Sequence, residues 1–262
     1  MAATERFLEI NGANLFVREQ GQGTAVVLVQ PGLLSGSAYD ALVPLLAEQY
    51  RVLGFDTRGH GRSTNPTDQL TYELIADDTA ELIKVLDLDR PFVGGWSDGG
   101  EVSLQVALRH PELVRGVIAG GTSLEMGGNK EAQNKVRAFF HSDADNVVDF
   151  PAFIEEHGEG FIPFVRQYHP QSEEQWQNVI RWSAVMWASY AGFTTDELAR
   201  ITVPTLVAVG ELDEFVPPEQ AVRLYRALPN AELAIFPGSD HMRPVFEPSA
   251  LATVLLDFLD RH

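Results

Sequence analysis

Three segments of this sequence carry the residue types of a nucleophile, a general base and a carboxylate that could orient the base. Ser97 lies in GGWSDGG, Asp213 in GELDEFVP and His241 in PGSDHMRP. A serine hydroxyl is a weak nucleophile at neutral pH, so it needs a histidine to take its proton, and that histidine needs an orienting partner. We therefore expect Ser97 to attack a carbonyl carbon, His241 to act as the base and Asp213 to stabilise the imidazolium.

The residues around Ser97 predict a turn between a strand and a helix. The apolar run PFVGG ends at Gly95, and the helical pattern that starts at Asp98 stops before Pro111. Such a turn lifts the hydroxyl above the edge of a sheet, and the helix N-terminus faces the negative charge that develops during carbonyl attack. This context favours a nucleophile over a structural glycine-rich turn.

The two supporting roles have alternative candidates. Asp213 lies just past the apolar run TLVAVG, and His241 lies five residues beyond AELAIF, so each would sit in a loop after a buried strand. For the acid that orients the histidine, Glu125 is the best alternative, followed by Asp240 and Glu211. The other histidines fit a loop, a helix end, the middle segment of the chain or the terminus; they are His60, His110, His141, His157, His169 and His262.

The tetrahedral intermediate of such a reaction also needs backbone N–H donors aimed at its oxyanion. One donor is expected from Asp98, the residue after the nucleophile. The other is expected from the loop QPGLLSGS, in which Gly32 permits a sharp turn and Leu33 is the favoured donor. The Leu33 side chain would then be free to line a pocket.

Short apolar runs alternate with longer amphipathic segments along the chain, which is typical of a mostly parallel sheet covered by helices. An Asn-Gly pair between two alternating runs predicts a hairpin near the start. Buried strands are predicted at residues 25–29, 51–55, 91–95, 114–120, 205–210 and 231–236, and helices at 39–49, 72–86, 98–109, 218–228 and 248–259. These elements indicate an α/β fold.

Residues 123–200 interrupt this alternation. They contain no convincing buried strand, yet they hold Trp176, Trp182 and Trp187, three of the four tryptophans of the chain. Seven of the fifteen phenylalanines also fall in this range. An aromatic-rich helical insertion between two strands would form a lid over the end of the sheet, or its aromatic residues would simply pack it onto the main domain.

The composition excludes several kinds of site and partner. With no cysteine, the chain cannot form disulfides, thiolate metal sites or a cysteine nucleophile. Its formal net charge of -18 argues against nucleic acid and membrane surfaces as partners. No secretory signal or membrane-spanning run is recognisable, so we expect a cytoplasmic protein. No metal-ligand cluster is apparent, and neither a metal nor an organic cofactor is expected.

Five motifs in order resemble those of the α/β-hydrolase superfamily, over nearly the whole chain. They are VLVQPGLLSGS, FDTRGHGRS, GGWSDGG, GELDEFVP and GSDHMRP. The resemblance implies an α/β-hydrolase fold with residues 1–122 and 201–262 as the core domain and residues 123–200 as a helical cap. Members with a serine nucleophile are mostly carboxylic ester hydrolases, lactonases, thioesterases or carbon–carbon bond hydrolases. The serine disfavours the dehalogenase and epoxide hydrolase branches, which need a carboxylate nucleophile.

Two positions depart from the common pattern of this superfamily. Pro31-Gly32 stands where many members carry His-Gly, and Asp98 stands where an apolar or neutral residue is usual. The elbow GWSDGG is similar to that of the biphenyl-hydrolase-like group, which includes hydrolases of amino-acid esters. The Asp98 carboxylate could pair with a substrate ammonium, or it could support the helix N-terminus, where negative charge is favourable. The sequence leaves both roles open.

The sequence therefore predicts a capped serine esterase whose small-molecule substrate is mainly apolar, with a cationic group as a further option. Lactone opening, carbon–carbon bond hydrolysis or cofactor-free perhydrolysis could use the same triad. A hydrolase-fold receptor that binds a ligand without turnover is an alternative of another class, disfavoured by the complete triad. Substrate contacts are expected from Leu34, Trp96, Asp98, Trp187 and Met242.

Overall fold

The centre of the fold is an eight-stranded, mostly parallel sheet. The computed structural model describes residues 3–122 and 128–262. Its strand order is β1-β2-β4-β3-β5-β6-β7-β8, with β1–β2 and β2–β4 antiparallel and the other described pairs parallel. The strands are β1 (Thr4–Ile10), β2 (Ala13–Gln20), β3 (Ala25–Val29), β4 (Arg51–Phe55), β5 (Phe92–Trp96), β6 (Gly116–Gly120), β7 (Thr205–Gly210) and β8 (Ala231–Phe236).

The antiparallel edge begins with the hairpin that the Asn-Gly pair predicts. Asn11 has φ 47° and Gly12 has φ 76°, so both central residues of the turn are left-handed. This geometry matches the twist of the two flanking strands, and asparagine and glycine adopt it most readily. The hairpin prediction is confirmed.

Helices cover both faces of the sheet, because successive strand residues point to opposite sides. These helices are α1 (Val43–Leu46), α2 (Tyr72–Val85), α3 (Asp98–Arg109), α9 (Pro218–Ala227), α10 (Arg243–Phe246) and α11 (Ser249–Arg261). Val27 and Val29 pack with α2, α3 and α9, while Val26 and Leu28 pack with α1 and α11.

The single helix predicted at residues 39–49 is wrong. The chain instead forms a 3-10 turn at Gly36–Tyr39 and the four-residue α1. Pro44 explains the interruption, since its ring would clash with the carbonyl of Asp40 in a continuous helix and it has no N–H to donate. The helix must therefore begin again at Val43.

Among the residues that the structure describes, five helices lie between β6 and β7, where the aromatic-rich segment was expected to be helical. Phe140, Phe153 and Trp176 are fully buried there and form the centre of a separate apolar cluster. The helices are α4 (Lys130–Phe140), α5 (Phe150–His157), α6 (Phe161–Arg166), α7 (Glu173–Ser189) and α8 (Thr195–Arg200). We call this segment the insertion. Within the described residues, every helix is too short or too polar to cross a membrane.

Candidate active site

Ser97 stands at the sharp turn between β5 and α3. It has φ 57° and ψ -122°, a sparsely populated positive-φ conformation that costs a non-glycine residue about 1–3 kcal/mol. Between residues 91 and 100 it is the one residue that is not buried. The turn therefore presents the serine side chain while its neighbours pack beneath it.

The glycines of the GGWSDGG motif let the elbow lie against β3. A Cβ on Gly99 would lie 2.0 Å from the Val29 carbonyl oxygen, and a Cβ on Gly95 would lie 2.6 Å from the Gly99 Cα. A Cβ on Gly100 would lie 2.0 Å from Thr122 Oγ1. These positions have no room for a side chain, which is the physical reason for glycine on both sides of the serine.

Asp213 and His241 meet at the carboxyl ends of β7 and β8. The His241 Nδ1–H donates to Asp213 Oδ2 at 2.7 Å, and the Asp213 side chain is fully buried. The other oxygen, Oδ1, accepts from the Phe215 and Val216 N–H groups at 3.0 and 2.8 Å. Since the carboxylate accepts the Nδ1 proton, Nε2 is left as the basic nitrogen of the ring.

The ends of β5 and β6 place the serine turn against Gly120 and the His241 ring against the next residue, Gly121. The Ser97 N–H donates to the Gly120 carbonyl at 2.7 Å. A Cβ on Gly121 would lie 3.1 Å from His241 Cε1, so the imidazole packs against the residue that follows. The Trp96 indole N–H donates to the His241 carbonyl at 2.6 Å and fixes the histidine backbone.

The alternative acids have other partners or fall outside the described residues. Asp240 accepts from the Met242 and Arg243 N–H groups, and Glu211 accepts from the Gly238 N–H. Glu125 lies in the range 123–127, outside the described residues. Of the carboxylates that the structure describes, Asp213 is the one hydrogen-bonded to His241.

The expected oxyanion donors lie on two segments that touch. Leu33 has φ 63° in a turn closed by the Leu34 N–H and the Pro31 carbonyl at 3.3 Å. A Cβ on Gly32 would lie 2.4 Å from Asp98 Oδ2, so this loop packs directly on the start of α3. The N–H groups of Leu33 and Asp98 donate no hydrogen bond to any other residue that the structure describes. Both remain able to serve a ligand.

Comparison with known proteins agrees with this architecture. A family model described as "Alpha/beta hydrolase family" matches residues 26–254. The chain belongs to the alpha/beta hydrolase family. It is therefore an enzyme of the class that acts on small-molecule substrates.

Relatives of this alpha/beta hydrolase carry varied activities. A non-heme chloroperoxidase of Streptomyces lividans is 30% identical over 95% of this chain and 97% of that protein. A 2-(acetamidomethylene)succinate hydrolase of Mesorhizobium japonicum is 26% identical over 97% of this chain and 95% of its own length. The solved esterase of Exiguobacterium antarcticum superposes with a TM-score of 0.83 at 25% identity, covering 98% of this chain and 100% of that one.

The Asp98 carboxylate of this hydrolase is buried and bonded at both oxygens. Tyr72 Oη donates to Oδ1 at 2.6 Å, and the Trp187 indole N–H donates to Oδ2 at 2.9 Å. Burial raises the pKa of Asp98 to about 6, while these two bonds and the charge of His241 oppose the rise. The side chain joins α2 and the insertion to the start of α3, so its partners are already within the protein.

A second buried acid follows one helical turn later. Glu101 is fully buried, and burial raises its pKa well above the usual range. Tyr190 Oη donates to Glu101 Oε2 at 3.2 Å and accepts from Gln105 Nε2 at the same distance. The rings of Tyr72 and Tyr190 lie 4.4 Å apart, so both acids belong to one contiguous buried group. This group was not predicted from the sequence, because nothing in the local pattern around the two acids marks such distant tyrosines as their partners.

The remaining residues expected to touch substrate differ in their exposure. Leu34 and Trp96 are buried in the core on the α11 side of the sheet, and Met242 is partly buried at its edge. Their buried positions favour a structural role in the core for Leu34 and Trp96 over direct contact with substrate. Trp187 instead lines a cavity of about 450 Å³ between α4 and the loop that carries Asp213.

That cavity adjoins the Asp213–His241 pair. The Phe215 ring forms part of its wall and lies 5.2 Å from the His241 ring. Trp187, which also lines the cavity, is the residue whose indole N–H donates to Asp98. Val136 and Phe139 add apolar surface to the lining, which also includes charged side chains such as Lys135, paired to Glu131 at 3.0 Å.

One group of described side chains has the composition of a metal site, and it lies in the insertion. His141, Glu156 and His157 place one ligand atom each within 4.8 Å of one another. His141 Nε2 lies 2.6 Å from the Glu156 carboxylate, which is largely exposed. No metal-ligand cluster was predicted from the sequence, because no short motif marks these three residues.

Proposed function

We propose that this protein is a serine hydrolase that cleaves carboxylic esters through an acyl-enzyme on Ser97. The observation that carries the proposal is the Asp213–His241 pair. Its 2.7 Å bond holds the imidazole with Nε2 as the base, at the strand ends that also hold the serine turn. An oriented base beside a serine on a strained turn is the arrangement that activates a hydroxyl for acyl transfer.

The reaction follows from these groups. As the Ser97 oxygen attacks the ester carbonyl, its proton passes to His241 Nε2 and the carbonyl electron pair moves onto oxygen. The Leu33 and Asp98 N–H groups donate to that oxyanion, and Asp213 stabilises the imidazolium. Collapse of the intermediate expels the alcohol, which takes the proton from Nε2. Water then attacks the acyl-enzyme by the same route and releases the acid.

The insertion is proposed to act as the cap of the site, with residues 1–122 and 201–262 as the core domain. The described part of the insertion lines the cavity beside His241, together with the loop after β7. Phe139, Trp187 and Phe215 make its walls apolar. A small ester with an apolar acyl or alkyl group fits this lining best.

The direct test is hydrolysis of short p-nitrophenyl esters by the purified protein and by Ser97→Ala. The proposal expects the loss of the nucleophile to lower kcat by at least about 10⁴-fold. Circular dichroism and thermal melting would confirm that the variant is folded. Hydrolysis that continues at the wild-type rate in Ser97→Ala would refute the mechanism.

The role of Asp213 has a matched control in the same loop. Asp213→Asn keeps the shape of the side chain but removes the charge that favours the Nδ1–H tautomer, so kcat should fall by about 10³- to 10⁴-fold. Glu211→Gln changes a carboxylate two residues away that bonds only to the Gly238 N–H among the described residues. Its kcat should stay close to that of the wild type. Equal losses in the two variants would contradict the assignment.

A second candidate reaction uses the same acyl-enzyme. The 30% identical chloroperoxidase of Streptomyces lividans makes perhydrolysis worth testing. Hydrogen peroxide would replace water in the second step, attacking the acyl carbon and releasing a peracid. Peracid formed from acetate ester and peroxide, at a rate that depends on Ser97, would support this reaction, and hydrolysis without any peracid would exclude it.

A further inference from the structure

We propose that His169 is the positioning residue of the oxyanion hole. Contributed by the insertion, it holds the Leu33 carbonyl and so keeps the adjacent Leu33 N–H in its donating orientation. The inference rests on the proposed function, because it gives the Leu33 N–H a role in ester cleavage. If His169 has this role, the insertion does more than cover the site. It also positions one of the two N–H groups that bind the oxyanion of the transition state.

The Leu33 turn needs such support. Gly32 and Leu33 are the central residues of the turn that the Leu34 N–H closes on the Pro31 carbonyl. Leu33, at the second central position, has φ 63°, while the φ of Gly32 is not positive. This pattern matches a type II turn, which normally has glycine at the position that Leu33 occupies. Left unsupported, the turn would relax by rotating the peptide that carries the Leu33 N–H.

His169 supplies the support through both ring nitrogens. Nδ1 accepts the Gly61 N–H at 3.0 Å, and Nε2 lies 2.9 Å from the Leu33 carbonyl oxygen. Because Nδ1 is an acceptor, the proton of the neutral ring is on Nε2, which donates to Leu33. His169 is only 3% exposed, and burial lowers its pKa to about 4, so the ring stays neutral at ordinary pH.

The other end of this link is rigid. The Arg62 N–H donates to Asp56 Oδ2 at 2.8 Å, and the Gly36 N–H donates to Oδ1 at the same distance. Gly61 lies against the same carboxylate, since a Cβ there would be 2.1 Å from Asp56 Oδ2. His169 therefore connects the Leu33 turn to the loop at Gly61, which the Asp56 carboxylate holds in place independently of His169.

The test uses two amides that imitate different halves of the imidazole. His169→Asn can keep an acceptor near Nδ1 for the Gly61 N–H but cannot reach Leu33. His169→Gln can place a donor near Nε2, within reach of the Leu33 carbonyl. We expect His169→Asn to lower kcat by about 10- to 100-fold with KM nearly unchanged, because a misplaced oxyanion donor weakens the transition state and not substrate binding. His169→Gln should recover most of the loss.

Gln175→Met is the matched control for docking of the insertion. Gln175 Nε2 donates to the Gly61 carbonyl at 2.6 Å, close to the His169 contact, and Gln175 has no bond to Leu33. This variant should keep kcat within about 3-fold of the wild type. Each variant is also titrated with an alkyl boronic acid, whose tetrahedral adduct on serine carries a negative oxygen, and with the product alcohol. Only the boronic acid should bind His169→Asn more weakly.

The kinetics of these variants can overturn the inference in several ways. An unchanged kcat in His169→Asn, or equal losses in His169→Asn and Gln175→Met, overturns the inference. If His169→Asn does not fold, His169→Gln decides, because a loss above about 100-fold despite a retained donor also overturns it. Failure of the proposed function is recognised separately, since wild-type hydrolysis would then be absent or independent of Ser97.

Discussion

The sequence leaves two roles open for the Asp98 side chain, and the structure favours one of them. Both of its oxygens accept hydrogen bonds, from Tyr72 and from Trp187, and only 5% of the residue is exposed. A substrate ammonium could pair with it only by displacing one of these partners. The carboxylate therefore links the insertion to the first turn of α3, and its charge is held by protein donors.

The first prediction concerns substrate choice. Because the Asp98 carboxylate is already bonded, the wild type should show little preference for esters with an α-amino group over matched esters without one. Asp98→Asn should leave that ratio of kcat/KM values within about 3-fold, as expected when no differential contact is lost. Parallel kinetics on the two esters in both proteins measure it. A preference for the amino ester that disappears in Asp98→Asn would instead assign ammonium binding to Asp98.

The second prediction concerns stability and pH. The folded-state pKa of Asp98 is about 6, above its ordinary value of 3.8. Between these values the folded state binds more protons than the unfolded state, so stability from this group is present at low pH and is lost as pH rises through 6. Three titratable groups interact with the Asp98 carboxylate: His241, Tyr72 and Glu101. All three are retained in Asp98→Asn, the variant used for comparison.

Asp98→Asn removes this dependence while keeping both contacts, since its oxygen can accept from Trp187 and its amide can donate to Tyr72. The unfolding free energy of the wild type relative to the variant should therefore fall by about 1 kcal/mol between pH 5 and pH 7. Urea denaturation of both proteins at the two pH values measures the difference. A constant or rising difference would mean that the Asp98 pKa is not raised.

At the scale of elements, the turn from β5 to α3 depends on the absence of side chains. Gly99 packs on the Val29 carbonyl so tightly that a Cβ would lie 2.0 Å away. Gly54 in β4 has a wider space, with the nearest atom at 3.8 Å. Gly99→Ala should cost about 3 kcal/mol or more in unfolding free energy, whereas Gly54→Ala should change it by less than about 1 kcal/mol. Thermal and urea melts of both variants test this, and similar losses would show that the elbow tolerates expansion.

The order of these elements was predictable from the sequence because their signals are local. Continuous apolar runs mark β3, β4 and β7 at the observed residues, and the helical period marks α2 and α3. The short α1 was not anticipated, since the apolar periodicity around Tyr39 hid the effect of Pro44. Pro44 is tolerated in α1 because it lies in the first turn of that helix. In a helix over residues 39–49 it would lie in the interior, where its ring clashes with the preceding turn.

At the scale of the whole molecule, buried and partly buried polar contacts attach the insertion to the rest of the protein. Trp187 bonds to Asp98, Tyr190 to Glu101, and His169 to Leu33. Each contact joins residues 89 or more positions apart, for which the sequence contains no pairing signal. The candidate catalytic residues could be predicted from their motifs, whereas the tyrosines, the tryptophan and the histidine that support the site could not.

Trp187→Phe tests whether these contacts hold the insertion closed. Phenylalanine keeps an aromatic ring in the cavity wall but loses the indole N–H donated to Asp98. Amide hydrogen exchange in α4 and α7 should become at least about 5-fold faster, corresponding to about 1 kcal/mol for one lost hydrogen bond. Exchange in α9 and α11 should be unaffected. Equal acceleration in all four helices would indicate global destabilisation and not opening of the insertion.

The central claim, that Ser97 is the nucleophile, is tested most directly by covalent trapping. A fluorophosphonate reacts with an activated serine by losing fluoride, and peptide mass spectrometry identifies the residue that carries the phosphonate. We predict one adduct, on Ser97, with esterase activity lost in proportion to labelling and no adduct in Ser97→Ala. Full labelling that leaves activity intact, or an adduct on another residue that accounts for the loss, would contradict the account.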